Sequence, residues 1–165
     1  MKFLRGLIVV GFMLGLHTVI GRVWSDLPRY VDLMVVPVVW FGIRTNQRQA
    51  TIGGCVTGLL HDTWFELHAF GIGGFKRTLL GWILGGVGSR FDLNRIGGRF
   101  LAGGLTTLAD GIIDYPLREM LEVENSGFEP GILALRTILT AVVVVISFAV
   151  IDLLGTRRRR SGWGP

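Results

Sequence analysis

Six ionisable side chains fall inside long apolar stretches of this 165-residue chain: Asp62, Lys76, Arg77, Asp110, Asp114 and, apart from the rest, His17. Asp110 and Asp114 are four apart and so share one face of a helix. With Lys76 and Arg77 they could build a buried ion-pair network, line a path for a small ligand or ion, or relay protons. A charge at the centre of a membrane helix costs about 2.5 kcal/mol or more, so such groups pair with one another or face water. The favoured reading is a network that pins helices together or docks a partner. A ligand path ranks second and proton-relay catalysis last. On the favoured reading, removing Asp62 strands a buried cation and destabilises the protein. A transport role predicts lost flux with normal folding.

Other chemistry is weighed against these residues. His61 and Asp62, followed by Glu66 and His68, raise metal binding. No HExxH spacing occurs, and neighbours on a helix point to different faces, so no metal site is expected. His17, alone in the middle of its stretch, reads as a hydrogen-bonded packing residue. There is no Walker loop, no GxSxG elbow and no dinucleotide fingerprint after a strand, and Gly71-x-Gly73 reads as a helix entrance. No catalytic residue, no cofactor and no enzymatic activity are expected. Cys55 is the single cysteine and cannot form an intramolecular disulfide.

The elements that must position these charges follow from composition. Half of the residues are hydrophobic, more than a soluble domain of this size can cover with polar surface. With lipid as solvent, every backbone N–H and C=O must be paired inside a helix or a closed barrel. The apolar runs exceed the roughly 10-residue strands of a barrel, so helices are expected. The sequence predicts one all-α transmembrane domain over residues 1–165, a polytopic bundle of about six spans: 4–23, 31–43, 50–65, 70–89, 100–117 and 132–154. The second span is short, with Asp32 near its start and Pro37 in its middle. Spanning is preferred to a re-entrant loop, because including residues 27–30 brings it to about 17 residues, the lower limit for crossing.

Short cytoplasmic loops collect Lys and Arg. An even number of spans puts both termini on one side. That side then carries Lys2, Arg5, Arg44, Arg48, Arg90, Arg95, Arg99 and the run Arg157, Arg158, Arg159, Arg160. The other side holds Arg22, Arg29, Arg118 and Arg136 with the acidic Glu119, Glu122, Glu124 and Glu129. Both termini are expected in the cytoplasm, and the N-terminal run reads as a retained span, with no small-x-small cleavage site before Arg22. At about 1.5 Å of rise per residue, Asp62 and Asp114 lie about 5 Å below the outer end, and Lys76, Arg77 and Asp110 roughly 8–10 Å below it. Opposite charges from three helices therefore meet in the outer half.

The net charge of +5 is assigned to topology and anionic headgroups, not nucleic acid. The Arg157 to Arg160 run reads as a topology anchor, with anionic lipid or a cytoplasmic filament protein as its other partners. Glycines four apart, Gly11 and Gly15, Gly54 and Gly58, Gly81 and Gly85 with Gly88 nearby, put small residues on one face and let helices pack closely. Gly97 and Gly98 are expected in a flexible loop. Trp24, Trp40 and Trp64 are placed at span ends, where the ring suits the headgroup region. Trp82 is placed deeper, packed inside.

One block resembles a known family. Pro28-x-x-x-Asp32-Leu33 opens an apolar run that ends Trp40-Phe41-Gly42. A basic loop from Arg44 to Arg48 leads into Gly54-x-x-x-Gly58-Leu59-x-x-Asp62. Phe70-Gly71-Ile72 and Lys76-x-Thr78-Leu79-x-Gly81 close it. Together with the length, span count and basic C-terminus, this is similar to the MreD family of bacterial rod shape-determining membrane proteins. The specific part covers about a third of the chain, and the correspondence of Asp110 and Asp114 to an acidic residue of that family's fifth helix stays open. The resemblance implies a non-enzymatic subunit of the cell-elongation machinery in the bacterial inner (plasma) membrane. Its implied partners are MreC and, through it, MreB filaments, RodA and a class B penicillin-binding transpeptidase. The family is similar in fold to the substrate-binding subunits of energy-coupling vitamin transporters. A small-molecule-binding transporter subunit is therefore the alternative, disfavoured by the short loops.

Overall fold

The computed structural model describes residues 2–24, 26–64, 71–120 and 129–160. Glu66, His68, Phe70, Glu122 and Glu124 fall outside them. Among the described residues the fold is all-helical: α1 (Lys2–Val23), a four-residue turn of helix α2 (Leu27–Tyr30), α3 (Val35–Arg44), α4 (Gln47–Trp64), α5 (Ile72–Gly88), α6 (Ile96–Met120) and α7 (Pro130–Arg160). Two segments, Phe3–Val23 and Pro130–Leu153, are long and apolar enough to cross a membrane, and Val35–Arg44 is a shorter apolar helix.

The second predicted span departs most from expectation. It is not one continuous helix of about 17 residues. The chain leaves α2 in an extended conformation at Val31 (φ −138°, ψ 124°) and starts α3 only at Val35. The cause is local. The Asp32 carboxylate accepts a hydrogen bond from the Met34 N–H (Oδ1, 2.9 Å), an Asx turn that competes with continuous helix. The restart places Pro37 in the first turn of α3, where a missing N–H leaves nothing unpaired. The Asp32 N–H, freed by the break, donates to Thr140 Oγ1 at 3.1 Å.

Contacts fix the direction of each helix. Phe3 of α1 stacks on Phe41 at 5.4 Å near the end of α3. A Cβ on Gly88, at the end of α5, would press on the Gly42 carbonyl, and one on Gly85 would meet Gln47 Cα at 2.7 Å at the start of α4. Arg44 of α3 and Arg99 in the first turn of α6 both pair with Asp152 near the end of α7. One end of the bundle thus gathers the start of α1, α4 and α6 with the finish of α3, α5 and α7. Successive helices alternate in direction. The core between them is apolar, aliphatic side chains packed with two aromatic ones: Val10, Met34, Val36, Val38, Val39, Phe41, Val144 and Phe148 are fully buried.

Glycine makes the α4–α5 seam. A Cβ on Gly54 would collide with the Arg77 carbonyl, one on Gly58 with the Gly73 carbonyl, and one on Gly81 with the Ala50 carbonyl. Backbone touches backbone along this seam, the close approach that small residues permit. Gly11 and Gly15 differ, because a Cβ on either meets nothing within 4 Å; they line no seam among the described residues. Gly97 and Gly98 are helical, in the first turn of α6, and a Cβ on Gly98 would sit 2.8 Å from Leu93 Cα. Trp82 is exposed and does not pack inside, whereas Trp40 is buried against Phe41 (5.5 Å). The reversal follows from the seam: α5 turns Gly81 and Gly85 inward, which directs Trp82 outward.

Candidate functional site: a buried charge network

At the opposite end of the bundle from Asp152, ionisable side chains from every long helix converge. Lys76 sits between two carboxylates, its Nζ donating to Asp114 Oδ1 at 2.6 Å and Asp110 Oδ2 at 3.1 Å. Asp114 also accepts from Arg118 Nε at 2.7 Å, one helical turn on. The structure thus brings together three of the five predicted residues, Lys76, Asp110 and Asp114, by setting one face of α5 against one face of α6.

Arg77 and Asp62 have other partners. Arg77 donates through Nη2 to Asp32 Oδ2 at 3.2 Å, and Arg136 of α7 donates to the same oxygen at 3.0 Å. Asp32 is the centre of this half of the network. It sits at the break before α3, buried, with one oxygen on two guanidiniums and the other on the backbone. The helix break and the charge have one origin, since the residue that interrupts the helix is the one that takes the cations.

The expectation that Asp62 neutralises a buried cation is corrected. Its Oδ2 accepts the N–H groups of Gly71 (3.1 Å) and Gly74 (3.0 Å), so the last turn of α4 caps the N-terminus of α5. A carboxylate is well placed there, because the first N–H groups of a helix lack intrahelical partners and carry partial positive charge. Gly71 adopts φ +100° to aim its N–H at the carboxylate, and a Cβ on Gly73 would collide with Asp62 Oδ1. The Gly71-x-Gly73 entrance is shaped around Asp62. The other oxygen, Oδ1, faces His61 Nδ1 at 3.8 Å, so these chain neighbours approach rather than diverge. The His61 ring meets that of His17 edge-on, with centroids 5.8 Å apart. Among the described residues no three His, Cys, Asp or Glu side chains group as a metal site.

Sequence reasoning missed Asp32, Arg136 and Arg118 as members. Asp32 counted only against a span, and the two arginines were counted only as outer-side charges, Arg118 just past the predicted span 100–117 and Arg136 within the span 132–154. A signal for Asp32 was available: a carboxylate inside an apolar run meets the criterion applied to Asp62. Arg118 lies in helix because α6 runs on to Met120, and Arg136 lies in α7. Arg157, Arg158, Arg159 and Arg160 end α7.

These features define an all-helical protein with membrane-length helices and an internal charge network. No known family, curated protein or solved structure matches the chain.

Proposed function

We propose that the chain is a multi-pass membrane scaffold of the bacterial cell-elongation machinery, resembling MreD, that binds MreC in the inner membrane and helps couple MreB filaments to wall synthesis by RodA and its transpeptidase. In this reading the helices cross six times. The broken segment from Leu27 to Arg44 serves as one discontinuous span, its irregular backbone tolerated at depth because protein encloses it. The alternation of helix direction supports that topology. The gathering of Arg44 and Arg99 at the Asp152 end supports a cytoplasmic placement of that end and of both termini.

One observation carries the functional reading. The block that resembles the family supplies the residues that hold the bundle: Asp32 at the helix break, Gly54, Gly58 and Gly81 along the α4–α5 seam, Asp62 on the α5 N-terminus, and Lys76 between the α6 carboxylates. A motif spent on internal support suits a protein whose task is to present a fixed surface to partners. Affinity purification from a rod-shaped bacterium tests it. MreC and RodA recovered with the tagged chain support the scaffold, and an ATPase pair or a bound vitamin in their place refutes it.

A further inference from the structure

Beyond the Asp62 cap, the network sets four cations against three carboxylates: Lys76, Arg77, Arg118 and Arg136 against Asp32, Asp110 and Asp114. The surplus is concentrated at Asp32, where a single oxygen takes two guanidiniums. Its other oxygen is committed to the Met34 N–H.

A guanidinium carries five N–H donors, and here several are unused. Nε and Nη1 of Arg77, and Nε of Arg136, are buried with no acceptor among the described residues. A buried donor left unpaired costs as much as a lost hydrogen bond or more. Asp32 therefore holds both arginines without completing either. Side-chain exposure rises from 5% at Arg77 to 29% at Arg136, so the donors run from the interior to the surface of the bundle.

We propose that Arg77 and Arg136 form a binding site for an oxyanion, a phosphate or carboxylate group, which enters past Arg136 and takes the donors that Asp32 leaves open. Guanidinium suits this role because it is permanently charged, planar and weakly hydrated, so it keeps its charge on burial and gives charge-assisted hydrogen bonds. Asp32 repels the ligand but also keeps the two arginines oriented when the site is empty, and Asp110 and Asp114 lie nearby on the Lys76 side. Binding is accordingly modest in strength and readily reversed. The proposal is independent of the scaffold reading.

Thermal unfolding of the purified chain, followed by tryptophan fluorescence, tests it in two arms. In neutral detergent, sodium phosphate and sodium acetate are each compared with sodium chloride at equal ionic strength. In nanodiscs, phosphatidylcholine is compared with phosphatidylcholine containing phosphatidylglycerol. A ligand at ten times its Kd raises the midpoint by about 3–6 °C. Arg136→Gln should weaken affinity about tenfold or more, the factor for one charge-assisted hydrogen bond, which at the same ligand concentration cuts the midpoint shift to about a third or less, while Arg22→Gln, an exposed cation at the end of α1, should leave it intact. Response to phosphate or acetate identifies a free oxyanion as ligand, and response to phosphatidylglycerol alone identifies a lipid headgroup. Should Arg136→Gln fail to fold, Arg136→Lys, which keeps the charge but loses donors, must still reduce the response. No midpoint change in any arm, or a change that persists when Arg136 is replaced, overturns the proposal and leaves those donors to water.

Discussion

Asp32→Asn separates this network from the one the sequence suggested. The asparagine keeps the shape of the side chain and an oxygen for the Met34 N–H, so only the charge is withdrawn. Arg77, 3.2 Å away, and Arg136, 3.0 Å away, then lose their shared anion. Removing one partner of a buried ion pair costs about 3–5 kcal/mol, because the other charge stays buried and uncompensated. At about 2–4 °C per kcal/mol for a chain of this size, the midpoint should fall by roughly 6–20 °C. Asp62→Asn is the matched comparison. Its partners are two backbone N–H groups, which the amide oxygen can still accept, and only the charge–dipole attraction is lost. That attraction is worth about 0.3–1 kcal/mol, up to about 2 in buried geometry, a fall of roughly 1–8 °C. Thermal unfolding of both variants in one detergent gives the ranking. If Asp62→Asn unfolds at or below the temperature of Asp32→Asn, Asp32 is not the centre of the network.

Gly58→Val puts a branched side chain against the Gly73 carbonyl and should prevent α4 and α5 from docking, read as loss of folded protein by size exclusion, while Gly15→Val, facing open space, should leave the yield unchanged. Lys76→Met should cost about 3–5 kcal/mol by stranding Asp110, while Asp114 keeps Arg118; adding Asp110→Leu should recover part of that stability, measured by the same thermal assay. Asp152→Asn removes the partner of Arg44 and Arg99 at a site 42% exposed, so its effect should stay below about 1 kcal/mol and shrink with added salt. A phosphatase or fluorescent reporter fused after the last residue should report a cytoplasmic C-terminus.

The sequence was most legible where periodicity and chemistry agreed. The α1 and α7 stretches were long and apolar, and their helices lie where expected. The spacing of Asp110 and Asp114 put both on the face that meets Lys76. The Gly54, Gly58, Gly81 and Gly85 spacing marked a seam that exists. Legibility failed where a local side chain–backbone bond overrode helix propensity. At Asp32 an Asx turn breaks the helix, and no hydropathy reading sees a bond to an N–H two residues on. It failed again at helix ends. Extension of α6 by about a turn carries Arg118 onto a helical face aimed at Asp114, and Arg136, inside the predicted sixth span but counted as an outer-side charge, faces Asp32. Asp62 was legible as a buried charge but not by its partner, because the partner is the backbone.

The two ends of the bundle are held by different physics. At the Asp152 end the pairs are partly exposed and Arg99 also lies over the Phe148 ring at 5.0 Å, so that end can yield to salt, lipid or a partner at small cost. At the Asp32 end the charges are buried or largely so, and they come from four parts of the chain: α7 gives Arg136, α5 gives Lys76 and Arg77, α6 gives Asp110 and Asp114, and the chain ahead of α3 gives Asp32. No one helix can shift there without stranding a charge on another. That mutual dependence specifies the packing. The helix break serves the same end: it brings the Asp32 carboxylate to two arginines on separate helices.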